Sequence, residues 1–288
     1  MSRSAKLELQ AGFMLVRTSD ELTKVVLDEL DLLLVESSAV SITVNLIAEL
    51  TRRKVRIVFC DSARNPIGEV QPYYGCHDVS RRVREQLAWS ERAKAEIWQS
   101  IVRDKIRHQA ALLASRGCAV GCEQLLACEH AVRPDDPSNV EGHAARVYFA
   151  CLFGPYFTRG NARLEANSAL DYGYMVMLSA FNRAIVSRGY LTVLGIFHAN
   201  IYNAYNLSCD LMEPFRPLVD GKVLEMAEDP EMRFGKDQKH LLVRLLHEDV
   251  KIAGASQTVV NAISIYVGSV IDALNRGDVS ALKFPCYG

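Results

Sequence analysis

Residues 71–78 read QPYYGCHD, and the chain changes character across them. Pro72 and Gly75 punctuate the stretch, and neither a two-residue nor a 3.6-residue period runs through it. Before it lie short runs rich in Val, Ile, Leu and Phe: GFMLVR (12–17), KVVLDE (24–29), LDLLLVES (30–37) and KVRIVFCD (54–61). Such runs predict strands. Between them TVNLIAELTRRK (43–54) has helical spacing, with Thr43 as its cap. After the stretch helical spacing takes over. The chain therefore reads as α+β: a small N-terminal β-domain over 1–70, a linker over 71–79, and a large all-α domain over 80–288.

The helical region is expected to open with a single long helix from Val79 to Arg107, anchored by Trp89 and Trp98. Further helices are expected over 109–130, from Ser138 onward, over 166–189, 236–254 and 258–277. The tail DVSALKFPCYG (278–288) reads as extended. Arg52, Arg53, Lys54 and Arg56 read as a solvated basic turn.

The chain has 288 residues, 49% hydrophobic and 23% charged, with a net charge of −1. This is an ordinary globular composition, so any nucleic-acid surface must be local. No run approaches the ~20 apolar residues of a membrane span, and the N-terminus has no signal-type core. The eight cysteines are then expected as reduced thiols of a cytoplasmic protein. Cys118, Cys122, Cys128 and His130 raise a zinc question, but their spacing is neither that of a ribbon nor of a finger. Residues 79–107 carry eight basic side chains against four acidic ones, a local +4. A phosphate backbone would need such a stripe, although amphipathic helices often carry one as a solvated face.

Candidate chemistry concentrates in GIFHANIYNAYNLSCDLMEPFRP (195–217). A helix from about Leu207 places Asp210 and Glu213 on one face, with His198 arriving from the preceding turn. Two carboxylates and an imidazole suit magnesium or manganese. The alternative is structural: acids in a first helical turn favour the macrodipole, and His198 is a core histidine. Glu141 has the same double reading. Ser138 and Glu141 match a capping box, or Glu141 is a third carboxylate for the metal. There is no Walker loop, dinucleotide glycine fingerprint or nucleophile elbow, which argues against motors, Rossmann enzymes and serine hydrolases.

Five stretches carry a resemblance: RRKVRIVFCDSARNP (52–66), QPYYGCHDVSRRVREQLAW (71–89), EGHAARVYFACLFG (141–154), LDYGYMVMLSAFNRAIVSRGYLTVLGIFHAN (170–200) and SCDLMEPFRPLVD (208–220). Together they resemble the CRISPR-associated integrase family of type II-like systems, the larger protein of the spacer-acquisition pair. The resemblance implies a β-domain that dimerises and an all-α catalytic domain. It implies a metal-dependent DNA endonuclease and integrase that inserts captured fragments into a CRISPR array by 3′-hydroxyl attack. Glu141, His198 and Glu213 fall on the family's catalytic and metal-binding positions, with magnesium or manganese as cofactor. Asp210 is placed behind them or on a second metal. Arg81, Arg82 and Arg84 are expected on the DNA backbone. Expected partners are DNA, a second copy of the chain and the small second adaptation protein. The chain departs from the family at MSRSAKL, where relatives carry a longer first strand, so the sheet is read as lacking an edge or starting short. The competing readings are a non-catalytic scaffolding homologue and a zinc hydrolase built on His198 and the cysteines.

Overall fold

The computed structural model describes residues 1, 3–30, 32–62, 66–70, 76, 78–161, 164–229 and 233–287. They fall into two compact units, Met1–Val79 with Val186–Gly189, and Ser80–Ile185 with Tyr190–Gly288. Most of the linker expected over 71–79 lies outside the described residues.

The first unit begins with β1 (Ala5–Gln10), β2 (Phe13–Arg17) and β3 (Leu22–Val26), followed by β4 (Leu32–Val35) and β5 (Val40–Ile42). Helix α1 (Val44–Arg52), β6 (Arg56–Cys60) and β7 (Pro66–Val70) complete it. Ala11 and Gly12 both have positive φ, 49° and 82°, which is the turn geometry that closes a two-residue hairpin with the correct twist. The first sheet has the order β3-β2-β1-β5, and the second β4-β6-β7. Strand β1 is thus interior, antiparallel to β2 and parallel to β5. Thr43 caps α1 by accepting from Leu46 N–H, and Leu46 and Leu50 turn one face of α1 into the core. Leu7, Met14, Leu33 and Ile57 meet them there. Burying each such side chain contributes about 1.5–3 kcal/mol as an upper bound. The basic run divides: Arg52 and Arg53 bind Glu49 at 2.7 and 2.6 Å, whereas Arg56 is buried within β6.

The second unit is mostly helical. It holds α2 (Val79–Leu87), α3 (Glu91–Ser115), α4 (Ala119–Ala131), α5 (Val140–Phe153) and α6 (Glu165–Val186). Then come α7 (Asn206–Met212), α8 (Arg216–Ala227) and α9 (Lys236–Arg244). Strands β8 (Asp249–Ile252) and β9 (Ala255–Thr258), α10 (Val259–Arg276) and β10 (Pro285–Cys286) close it. The helix expected over 79–107 is two helices. Ser90 breaks it by accepting from Ala93 N–H as the N-cap of α3. Helix α3 is the central element: Ile97, Trp98, Ile101, Val102, Ile106 and Leu113 have no exposed surface. It packs against α4, α5, α8 and α10.

Residues 249–258 form a hairpin, whereas the helix from 236 was expected to run to 254. Asp249–Ile252 alternates exposed and buried, and Ala253-Gly254 supplies two positive φ angles for a tight turn. The tail is fastened down: β10 pairs with β8, Lys283 N–H donates to Ser269 Oγ at 3.0 Å, and the Tyr287 ring stacks on His108 at 4.1 Å. No described helix is long and apolar enough to cross a membrane.

Candidate active site

The segment between α6 and α7 is a loop with almost no internal repeat structure, so its shape must come from side chains. Gln86 on α2 donates to the carbonyls of Leu191 and Leu194 and accepts from Leu191 N–H. Asn206 donates to the carbonyls of Val193 and Asn200. Asp210, wholly buried on α7, accepts from the backbone N–H groups of Ile196, Phe197 and His198 at 2.7, 3.0 and 3.1 Å. Gly195 is required for this. A Cβ there would lie 2.3 Å from the His198 carbonyl oxygen and 2.7 Å from the Asp210 carboxylate.

Asp210 also holds the His198 ring, with Nδ1 to Oδ1 at 2.5 Å. That contact fixes the ring and leaves Nε2 for chemistry, the arrangement in which a carboxylate orients a ligating or proton-carrying histidine. The hydrogen bond to Asp210 raises the His198 pKa above its ordinary value against the effect of burial, and Glu213 and Glu141 add to the rise. Trp98 meets the ring edge-on at 5.8 Å, and Phe197 stacks on Trp98 at 4.4 Å.

Of the two readings of Glu141, the capping box with Ser138 does not form. The N-cap of α5 is Asn139, in left-handed conformation, and not Ser138. Asp136 accepts from Val140 N–H and Glu141 N–H, both at 2.9 Å. With the first turn satisfied, the Glu141 side chain reaches Lys105 Nζ at 2.5 Å. Lys105 is equally 2.5 Å from Glu213 Oε2. That contact compensates the charge of a carboxylate oxygen buried from solvent. Arg216 donates to the other oxygen of Glu213 at 2.8 Å. Burial opposes ionisation of Glu213, but Arg216 and Lys105 outweigh it and hold the carboxyl below its usual range.

These groups line a cavity of about 240 Å³ together with Arg159 and Asp220. Among the described residues no three His, Cys, Asp or Glu side chains close on a single metal position. Two carboxylates do share one buried cation, the Lys105 ammonium. A buried point where two carboxylates converge on one positive charge has the donor chemistry of a divalent-ion site.

Lys105 is the site residue that the sequence reading passed over as one member of a basic stripe. Its signal was positional. It lies seven residues after Trp98 and four after Ile101, on the buried stripe of α3. Of the arginines expected on DNA, Arg81 and Arg82 bind Glu85 at 2.9 and 3.2 Å, and Arg84 is exposed.

The family model for "CRISPR associated protein Cas1" matches residues 1–252. The chain belongs to the Cas1 family. The CRISPR-associated endonuclease Cas1 of Neisseria meningitidis serogroup C (strain 8013) is 31% identical to it over 99% of this chain and 94% of the relative. The type II-like resemblance is in keeping with that relative. A casposase bound to an integration product has the same fold, with a TM-score of 0.78 and 18% identity over 96% of this chain and 89% of that one. A Cas6-RT-Cas1–Cas2 complex matches with a TM-score of 0.76 and 17% identity, over 98% of this chain and 35% of that one. The Cas1 region thus contains Lys105, Glu141, His198, Asp210 and Glu213, whereas Tyr287 lies beyond it. Tyr287 nonetheless donates its hydroxyl to the carbonyl of Pro214, directly after Glu213.

Proposed function

We propose that this chain is a metal-dependent DNA endonuclease and integrase. It joins the 3′-hydroxyl of a captured fragment to a phosphodiester at a CRISPR repeat. The observation that carries this reading is the convergence of Glu141 and Glu213 on one buried cation seat, near a histidine held by Asp210. The family membership and the named endonuclease relative point the same way.

Glu141, Glu213 and His198 would hold magnesium or manganese, which would lower the pKa of the attacking hydroxyl and neutralise charge on phosphorus. The rest falls to the chain itself. Arg159 and Arg216 line the cavity and offset phosphate charge. Asp210 presents His198 Nε2 as a ligand; the alternative role of that same atom, with the ion on the two carboxylates alone, is to carry the proton of the attacking or leaving hydroxyl. Asp210 orients that ring and shapes the loop carrying it. Arg81, Arg82 and Arg84 are assigned to backbone phosphates, contacts that weaken with salt. The working assembly is a homodimer through residues 1–70 with a small second adaptation protein. The Cas1–Cas2 composition of a structural neighbour supports that partner.

The test is strand transfer. Purified protein and its small partner are mixed with a short duplex bearing free 3′-hydroxyls, a repeat-carrying plasmid and manganese. Fragment-tagged plasmid is expected with wild type and not with Glu141→Ala or His198→Ala. Bound DNA without product from any protein would favour a scaffolding role.

A further inference from the structure

Gly121 sits in the first turn of α4, where a glycine weakens a helix relative to alanine. Its φ is not positive, so no left-handed backbone calls for it. Sulfur does. A Cβ built on Gly121 would lie 2.6 Å from Cys151 Sγ and 2.9 Å from Cys118 Sγ. Two thiols, one from the N-cap of α4 and one from the last turn of α5, thus converge on the space that a side chain would fill.

The side chain of Cys118 makes no capping hydrogen bond, so its sulfur is not spent on the helix end. Cys118 is half-buried, and Cys151 is exposed. Burial, and then the adjacent Cys118 thiol, push the Cys151 thiol above its usual pKa. The Cys151 sulfur therefore faces another sulfur while the residue stays open to small molecules. Among the described residues no third His, Cys, Asp or Glu completes a metal site with the two thiols. The pair is equipped to bond sulfur to sulfur rather than to hold zinc.

We propose that Cys118 and Cys151 are a modification site, forming a reversible disulfide with a low-molecular-weight disulfide as oxidant. The Cys151 thiolate attacks one sulfur of the small disulfide and expels the other as a thiolate. The Cys118 thiolate then attacks Cys151 Sγ and expels the second small thiolate. The protein loses two electrons and two protons, and the small disulfide gains both as two thiols. Because the thiolate is the attacking form, the link forms faster as pH rises above neutrality. The bond closes residues 118–151, the segment that carries Asp136, Asn139 and Glu141. It lies about 15 Å along α5 from Glu141, so the contact of Glu141 with Lys105 is left in place. Its effect is to restrict the unfolded chain and so to steady the α4–α5 pair beside α3.

The test incubates the full chain with oxidised glutathione at mildly alkaline pH. Peptides are then mapped by mass spectrometry without reduction, and the protein is melted with and without dithiothreitol. A peptide pair joined through Cys118 and Cys151 is expected, with a melting temperature about 5–10 °C higher that dithiothreitol reverses. Cys118→Ser should instead trap glutathione on Cys151, and Cys151→Ser should show neither the link nor the shift. Both thiols left free, glutathione on both without a link, or a link to Cys122 in place of Cys118 would overturn the inference. So would a Cys118–Cys151 link that leaves the melting temperature unchanged or lowers it. The peptide map is made on wild type, so it decides even if a serine variant folds poorly. No DNA enters the experiment, so its outcome is separate from the test of the proposed function.

Discussion

Asp210 accepts the backbone N–H of His198 at 3.1 Å and meets its ring Nδ1 at 2.5 Å. One buried carboxylate thus sets both the path of the loop and the direction of the imidazole. Asp210→Asn keeps the size but loses acceptor capacity, and it should destabilise the protein by about 2 kcal/mol. It should also lower the His198 pKa, which Asp210 raises. A raised histidine pKa stabilises the fold below its unfolded value of about 6.5, and that contribution fades as pH rises through the folded pKa. The stability gap between wild type and Asp210→Asn should therefore be widest in acid and narrow above neutrality. Denaturant melts across pH and a proton-resonance titration of His198 would check both effects.

Lys105 makes a second prediction. Burial disfavours its charge, but Glu213 and Glu141 outweigh burial and raise its pKa. Lys105→Met leaves those carboxylates short of a partner, a loss of about 3–5 kcal/mol for a buried pair broken on one side. Added manganese should then raise the melting temperature more in Lys105→Met than in wild type. An equal rise in both would mean that the ammonium and the metal do not share a seat.

Gly195 has no room for a methyl group, with the His198 carbonyl oxygen 2.3 Å from where it would sit. Gly195→Ala should push the loop away from Asp210, cost about 1–3 kcal/mol, and reduce strand transfer to the level of His198→Ala. Wild-type activity in this variant would show that the loop need not hold this path.

Asp220 supplies a pH signature independent of His198. Burial raises its carboxyl from 3.8 to about 6, although Tyr174 and Tyr148 donate hydroxyls to it and Arg216 opposes the rise. The folded state then holds the proton more tightly than the unfolded chain, so ionisation weakens folding as pH climbs from about 4 to about 6. The loss in that window should be roughly 2–3 kcal/mol, and Asp220→Asn should flatten it. Urea midpoints at half-unit pH intervals would decide.

Tyr287 lies outside the family-matched residues yet binds the Pro214 carbonyl and stacks on His108. Tyr287→Phe retains the stacking and loses the hydrogen bond, with an expected cost of about 1 kcal/mol. If the tail positions Glu213, manganese affinity should fall as well. A stability change alone would leave the tail a structural strap.

Sequence alone determined what short-range chemistry controls. Short runs rich in Val, Ile, Leu and Phe, the Thr43 cap and the change of pattern at 71–78 announced an N-terminal β region followed by helices. His198, Asp210 and Glu213 stood out because twelve and three residues separate them within one apolar stretch. The 249–258 hairpin was also legible, in alternation and an Ala-Gly turn, but an amphipathic helix ran into it and masked it. Other features depended on the packed chain. Ser138 and Asn139 are both competent caps, and only the backbone at the start of α5 chooses between them. Lys105 lies 36 residues from Glu141 and on another helix, so no spacing rule joins them. They meet because α3 is buried along its length and packs against α5 and the turn after α7. A lysine on that buried stripe must find carboxylates, since burial of an unpaired charge is too costly to persist. Tertiary packing thus brought two distant acids onto one concealed lysine.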